Sequence, residues 1–234
     1  MGLTTGLCGS ITTFSGLMYN SCVALFGPSS HYTYPVSNYL ATFTATFASC
    51  FIGFVIGRHL SIFLIPKSEK TKQNVAYLND HVRIWLFPIL IVLSIPLLVL
   101  LAVLLPVGRY TYIIYSVIFA PFGSLTRYGL SLLLNRNVNF PIGTFVANVS
   151  GSYLYLGMVA IIQYVQILSP LTEQIVNAII QGYCGCLTTV STFILELDTM
   201  KKRRYIYLYF ALSVLPVQII FIIFGDIFSL LCSP

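Results

Sequence analysis

Apolar residues run along this chain in blocks of roughly 20 or more, each long enough to cross the hydrocarbon core of a bilayer as a helix. The blocks predict seven spans, at about 2–26, 38–65, 84–107, 110–134, 141–168, 172–197 and 205–231. One sizeable polar connector divides them, Pro66–Arg83, with Lys67, Glu69, Lys70 and Lys72. The span after it, Trp85 to Val107, has almost no polar side chain and suits a lipid-facing tether.

One pattern occurs twice. Gly6-Leu7-Cys8-Gly9-Ser10-Ile11-Thr12-Thr13-Phe14-Ser15 returns as Gly182-Tyr183-Cys184-Gly185-Cys186-Leu187-Thr188-Thr189-Val190-Ser191, each copy inside an apolar span. Glycines followed by paired threonines weaken helix propensity, and lipid cannot bond the backbone groups so released. The pattern therefore predicts a broken helix in each copy, lining a cavity or buried in protein, as at the ion sites of repeat-built transporters. A pair of tightly packed glycine helices is the alternative.

Threading the spans alternately gathers Arg58, Lys67, Lys70, Lys72, Arg83, Arg136 and Lys201-Lys202-Arg203-Arg204 on or toward one side, leaving Arg109 on the other. The positive-inside rule makes the rich side cytoplasmic, with Met1 inside and the C-terminus outside. The run Lys201–Arg204 would suit acidic lipid or a partner, but needs no role beyond fixing topology. In this threading the first broken helix runs outward and the second inward. The copies are inverted, and the lone tether supplies the odd crossing that inversion requires. Four spans follow the tether with the break in the third; two precede it with the break in the first. The first copy is thus expected to lack its opening two helices, as a truncation, a fragment or an unusual start would produce.

Composition fits a membrane protein. The chain is 57% hydrophobic and 8% charged, with a mean hydropathy of +0.89, so a polar shell around a soluble core is not available to it. Cys8, Cys22, Cys50, Cys184, Cys186 and Cys232 show no CxxC spacing, and His31, His59 and His81 stand alone, which disfavours a zinc or redox site. No Ser/His/Asp set, phosphate-binding loop or acid–base pair points to an enzyme, and no removable signal peptide is expected. Glu173 sits at a helix start, where the dipole favours it, and Glu196 and Asp198 approach the cytoplasmic end. Without a carboxylate at mid-membrane, passive conduction is favoured over proton coupling.

Three polar stripes stand out. Thr144, Asn148 and Ser152 run beside the small residues Gly143, Ala147 and Gly151, and either line a wet path or bond helices together. Ser124, Arg127 and Ser131 share a face, where Arg127 needs a partner, a wet cavity or room to snorkel. Asn38, Thr42 and Thr46 form the third stripe; its counterpart, Tyr205 to Leu231, holds little beyond Tyr207, Ser213 and Gln218.

Three of these segments together, Pro141-Ile142-Gly143-Thr144-Phe145-Val146-Ala147-Asn148-Val149-Ser150-Gly151-Ser152, Gly123-Ser124-Leu125-Thr126-Arg127-Tyr128 and Gly182-x-x-Gly185-x-x-Thr188-Thr189-x-Ser191-Thr192-Phe193, resemble the Fluc (CrcB) fluoride channels. The tether and second repeat resemble the fused eukaryotic form, the fluoride exporters. The resemblance implies an all-α polytopic membrane protein of inverted repeats with broken third helices, joined by a linker transmembrane helix. Its parts would be an incomplete first repeat (1–65, last two helices only), a polar connector and linker helix (66–107) and a complete four-helix repeat (108–234). It further implies a multi-pass plasma-membrane protein whose full-length form is a monomer with an internal pseudo-dimer, with fluoride and the lipid bilayer as partners and no nucleic acid.

The resemblance also implies site residues. A structural sodium ion would be held by carbonyls of Gly9, Thr12, Gly185 and Thr188. Asn148 would be the pore asparagine, Arg127 a vestibule residue, and Thr144, Ser152, Thr42 and Thr46 pore-lining hydroxyls. The family's two pore phenylalanines map to Phe14 and Leu17 in one copy and to Val190 and Phe193 in the other. If each pore takes the earlier position from one half and the later from the other, Phe14 with Phe193 forms an intact pair, and Val190 with Leu17 has no ring. An aromatic edge is partly positive and can stabilise a dehydrated anion without a full charge, so one working pore is expected. Fluoride is small and strongly hydrated, and weak positive edges with hydrogen-bond donors suit it. A secondary transporter of another small solute and a non-conducting truncated membrane protein are the competing expectations.

Overall fold

The computed structural model describes residues 12–26, 34–64, 89, 96, 100, 111–135, 140–165 and 169–232. The opening of the first span, the connector 66–83 and, apart from three helical positions, the tether at 84–107 lie outside the described residues. Among the described residues every regular element is helical. Helix α1 is Phe14–Phe26, α2 Pro35–Leu64, α3 Thr111–Leu134 and α4 Ile142–Tyr164. Then follow α5 Pro170–Ala178, a π-helical stretch Ile179–Cys184, the short α6 Gly185–Leu187, α7 Ser191–Thr199 and α8 Arg203–Cys232. Five of the described segments are long and apolar enough to cross a membrane, and each matches a predicted span.

Local chemistry explains the boundaries. Ser169 caps α5 by accepting from the Thr172 N–H at 3.2 Å, Pro170 fills the first turn where its missing N–H is harmless, and Glu173 meets the positive end of the dipole. From Pro170 the backbone stays helical to Leu187 and then breaks. Thr188 is extended, with φ −89° and ψ 151°, and α7 restarts at Ser191.

The break is made by the threonines and not by the glycines. Gly185 is helical at φ −60° and ψ −42°, and Gly182 lies within the π-helical stretch. Gly182 serves packing instead: a Cβ there would collide with the Ser116 carbonyl of α3, and one on Gly123 of α3 with the Tyr183 carbonyl. Two glycines facing each other's backbones let the helices touch, which is how association proceeds where lipid is as apolar as leucine. In the second copy both the break and the close packing are therefore present, on different residues, while Gly6 and Gly9 of the first copy lie outside the described residues.

The same closeness joins α4 to its neighbours. Ala147 is fully buried, a Cβ on Gly143 would strike the Leu130 carbonyl, and one on Gly151 would sit 2.5 Å from the Thr188 methyl. The core lies where α1, α4, α7 and α8 meet and holds Phe14, Met18, Phe193, Tyr209 and Phe221, all nearly inaccessible. Outer faces are apolar too: Phe51, Ile52 and Ile56 of α2 and Leu125, Leu132 and Leu133 of α3 are exposed, as lipid-facing positions require.

Candidate functional site at the helix breaks

A broken helix leaves four N–H groups without intrahelical acceptors, and in a membrane interior each needs another. The Thr189 N–H donates to Asn148 Oδ1 at 2.8 Å, and that of Val190 to the Thr12 carbonyl at 3.2 Å. The Ser191 N–H donates to Thr12 Oγ1 at 3.1 Å, and that of Thr192 to Thr189 Oγ1 at 3.3 Å. In a continuous helix these four would hold the carbonyls of residues 185–188, which are thus released from the ladder.

The first copy answers in kind. Just as the Ser191 N–H takes Thr12 Oγ1, the Ser15 N–H takes Thr188 Oγ1 at 3.2 Å. Just as Thr192 takes Thr189 Oγ1, the Gly16 N–H takes Thr13 Oγ1 at 3.3 Å. The hydroxyls of Thr13 and Ser15 complete the junction, 3.1 and 3.0 Å from Thr188 Oγ1. Equivalent residues exchanging equivalent bonds is the signature of a two-fold relation. The threonine hydroxyls are retained in both copies because each caps the other's helix.

Asn148 fastens this junction to α4. Its Oδ1 accepts from the Thr189 N–H while its Nδ2 donates to the Thr189 carbonyl at 3.1 Å, and the side chain is fully buried. The two bonds fix the amide's orientation and occupy one of the two Nδ2 hydrogens. Ser152, also fully buried, donates back to the Asn148 carbonyl at 2.7 Å. Across the junction Phe14 and Phe193 meet edge to face, with centroids 5.6 Å apart and planes at 64°. Leu17 and Val190 are buried without a ring between them.

A carboxylate that the sequence places toward a helix end joins the cluster through side-chain bonds that the sequence does not announce. Thr144 Oγ1 donates to Glu196 Oε1 at 2.6 Å, and the Tyr209 hydroxyl to Glu196 Oε2 at 2.7 Å. Glu196 thus stands half-buried between α4 and α8, in the last turn of α7 as its place near the end of the predicted span 172–197 leads one to expect, yet bonded inward and not outward. Its spacing from Phe193, i to i+3 on α7, puts both on one face and was the available signal. Tyr209 packs on Phe193 at 5.1 Å between centroids. Asn135 extends the chain of polar contacts, with Nδ2 3.1 Å from Ser131 Oγ and 3.3 Å from Thr144 Oγ1.

The other expected residues fall at varied distances from this cluster. Arg127 is buried on α3, on the face it shares with Ser124 and Ser131. Thr42 and Thr46 are half-buried on α2, where Thr46 Oγ1 donates to the Thr42 carbonyl at 2.6 Å; neither joins the bonds around Asn148. Gly9 lies outside the described residues. Among the described residues no group of three His, Cys, Asp or Glu side chains gathers as for a metal.

Fold and site define a polytopic α-helical membrane protein organised on a helix break at Thr188 that interlocks with the start of α1. Residues 114–225 match the family described as CrcB-like protein, Camphor Resistance (CrcB). The chain is 31% identical to fluoride export protein 1 of Candida albicans over 92% of its own length and 57% of that protein. Against fluoride export protein 1 of Schizosaccharomyces pombe it is 30% identical over 88% of its length and 69% of that protein. A fluoride-specific ion channel FluC of Methanococcus maripaludis is 34% identical over 40% of the chain and 73% of that protein. The chain belongs to the CrcB-like family that includes these fluoride export proteins. It spans 57% and 45% of the lengths of the Candida albicans and Neurospora crassa relatives. No solved structure matches it.

Proposed function

We propose that the chain serves passive, fluoride-selective conduction out of the cell across the plasma membrane, through one working pore. The buried edge-to-face contact of Phe14 with Phe193 carries this reading. Those rings come from opposite copies, and on α4 the Asn148 amide has a second Nδ2 hydrogen beyond the one given to the Thr189 carbonyl. Together they supply weak positive potential without a cation that would trap fluoride. Thr144 and Ser152 lie one turn to either side of Asn148 on α4, and each would serve an anion by turning its one hydroxyl hydrogen away from Glu196 or the Asn148 carbonyl. In this reading Val190 and Leu17 mark a pathway that no longer conducts, and Thr42 and Thr46 line the working one from α2.

We propose a structural sodium ion at this junction. The released carbonyls of Gly185 and Thr188, with that of Thr12 and the counterpart Gly9, would hold it, and bound there it would supply fixed positive charge between the copies. The full-length protein in this reading is a monomer whose two repeats run in opposite directions. Fluoride efflux from liposomes tests the proposal: flux should follow voltage and show no requirement for a proton gradient. Glu196 favours a second reading, proton-coupled transport, since an ionisable group inside a span marks a relay as readily as a pore wall. Efflux driven by a pH gradient at zero voltage and abolished by Glu196→Gln would establish that reading in place of the first.

A further inference from the structure

Away from the breaks, a groove of about 620 Å³ runs between α2, α7 and α8, lined by Phe43, Phe47, Phe51, Ile194, Ile206 and Phe210. Its floor is apolar, but one end is charged. Asp198 lines the groove and pairs with Arg58 at 3.1 Å. Three residues on, Lys201, Lys202, Arg203 and Arg204 are all exposed, and α8 passes from that run into the groove at Ile206. Arg58 therefore stands at the groove end, and four more basic residues follow in the turn that joins Asp198 of α7 to the start of α8. Lys202 Nζ lies 5.7 Å from the Tyr205 ring centroid, an ammonium and an aromatic held together as at a membrane interface.

We propose that this groove binds one acyl chain of an anionic phospholipid, with the headgroup phosphate at the basic end. Depth agrees with charge. Counting along α2 at 1.5 Å per residue, Phe51 lies about 10 Å and Phe43 about 22 Å from Arg58. That is where hydrocarbon lies when the guanidinium is at headgroup level, since the apolar core is about 30 Å thick. Basic residues at a cytoplasmic helix end attract anionic lipid. The groove supplies what a surface patch lacks, a seat for the chain, so binding should depend on both ends of the molecule. A bound chain would rest on Phe47 and Phe210, whose rings are 5.6 Å apart, and Phe210 lies 6.1 Å from Phe193. Any effect on conduction through that contact rests on the proposed pore; the binding does not.

Native mass spectrometry of the full chain, released from micelles holding equal phosphatidylserine and phosphatidylcholine of identical acyl chains, tests the site without measuring flux. One phosphatidylserine should be retained at least tenfold over phosphatidylcholine. Replacing all four residues of the run 201–204 by Gln should erase the preference. Ala48→Trp, which fills the groove from an exposed position, should reduce phosphatidylserine retention to the phosphatidylcholine level, and Thr44→Trp provides the same block should Ala48→Trp fail to fold. Glycerophosphoserine, which has the headgroup but no chains, should not compete on the unmodified protein. Equal retention of both lipids, retention unchanged by a folded tryptophan variant, or effective competition by glycerophosphoserine would each overturn the proposal.

Discussion

The Asn148 amide does two jobs that a substitution separates poorly. Asn148→Leu would leave the Thr189 N–H and carbonyl buried without partners, each costing about 1–3 kcal/mol, so the variant should melt earlier as well as conduct less. A lost pore donor of that size corresponds to a roughly 5- to 150-fold fall in flux. Thermal melting beside fluoride-electrode efflux reads both, and unchanged flux in folded protein would leave Asn148 a purely structural clamp. The ring pair separates more cleanly. Phe14→Met and Phe193→Met keep bulk but remove the aromatic edge, and should cut efflux at least tenfold with little change in folding. Val190→Ala and Leu17→Ala should leave efflux nearly intact. Methionine variants that conduct like the parent protein would end the single-pore argument. Asn148, Phe14 and Phe193 are readable beforehand because each sits in a repeated or family-like segment. Glu196 is not, because it lies five residues before the basic run, where a charge looks terminal, and its partner Thr144 is 52 positions away.

Among the helices, span positions are legible from apolar length alone, since a bilayer sets a minimum that chance rarely meets. The place of the break is less so. Low propensity points at the glycines, but propensity is a weak prior, and the contact with α3 demands Gly182 inside a helix. Gly182→Ala should therefore fail by collision, losing about 1–3 kcal/mol and most of the monodisperse yield. Gly157→Ala, whose added Cβ meets nothing within 4 Å, should be neutral or better by up to about 1 kcal/mol. The contrast between the two, measured by size-exclusion yield and melting temperature, is the check. The reciprocal caps make a matching claim. Thr12→Val and Thr188→Val each strip an N–H of its acceptor, Ser191 in one case and Ser15 in the other, and each should destabilise by about 1–3 kcal/mol, Thr188→Val the more because its hydroxyl also meets those of Thr13 and Ser15. A large effect at one position and none at the other would mean the junction is not balanced.

For the molecule as a whole, the proposed sodium ion should act as a ligand of the folded state. Exchange of all sodium for potassium should lower the melting temperature, and restoring sodium should return it with a saturable dose dependence, by about 2.7 kcal/mol at a hundred times the dissociation constant. Identical melting in the two salts would remove the ion from the junction. The interlocked caps also impose an order on synthesis. The N–H of Ser15 finds its acceptor on Thr188, 173 residues further along, so that at about 5–20 residues per second the partner is made roughly 9 to 35 s later. Through that interval the start of α1 has a backbone donor that lipid cannot satisfy. The nascent chain must keep this segment in contact with water or with the insertion machinery until Thr188 has been made and inserted.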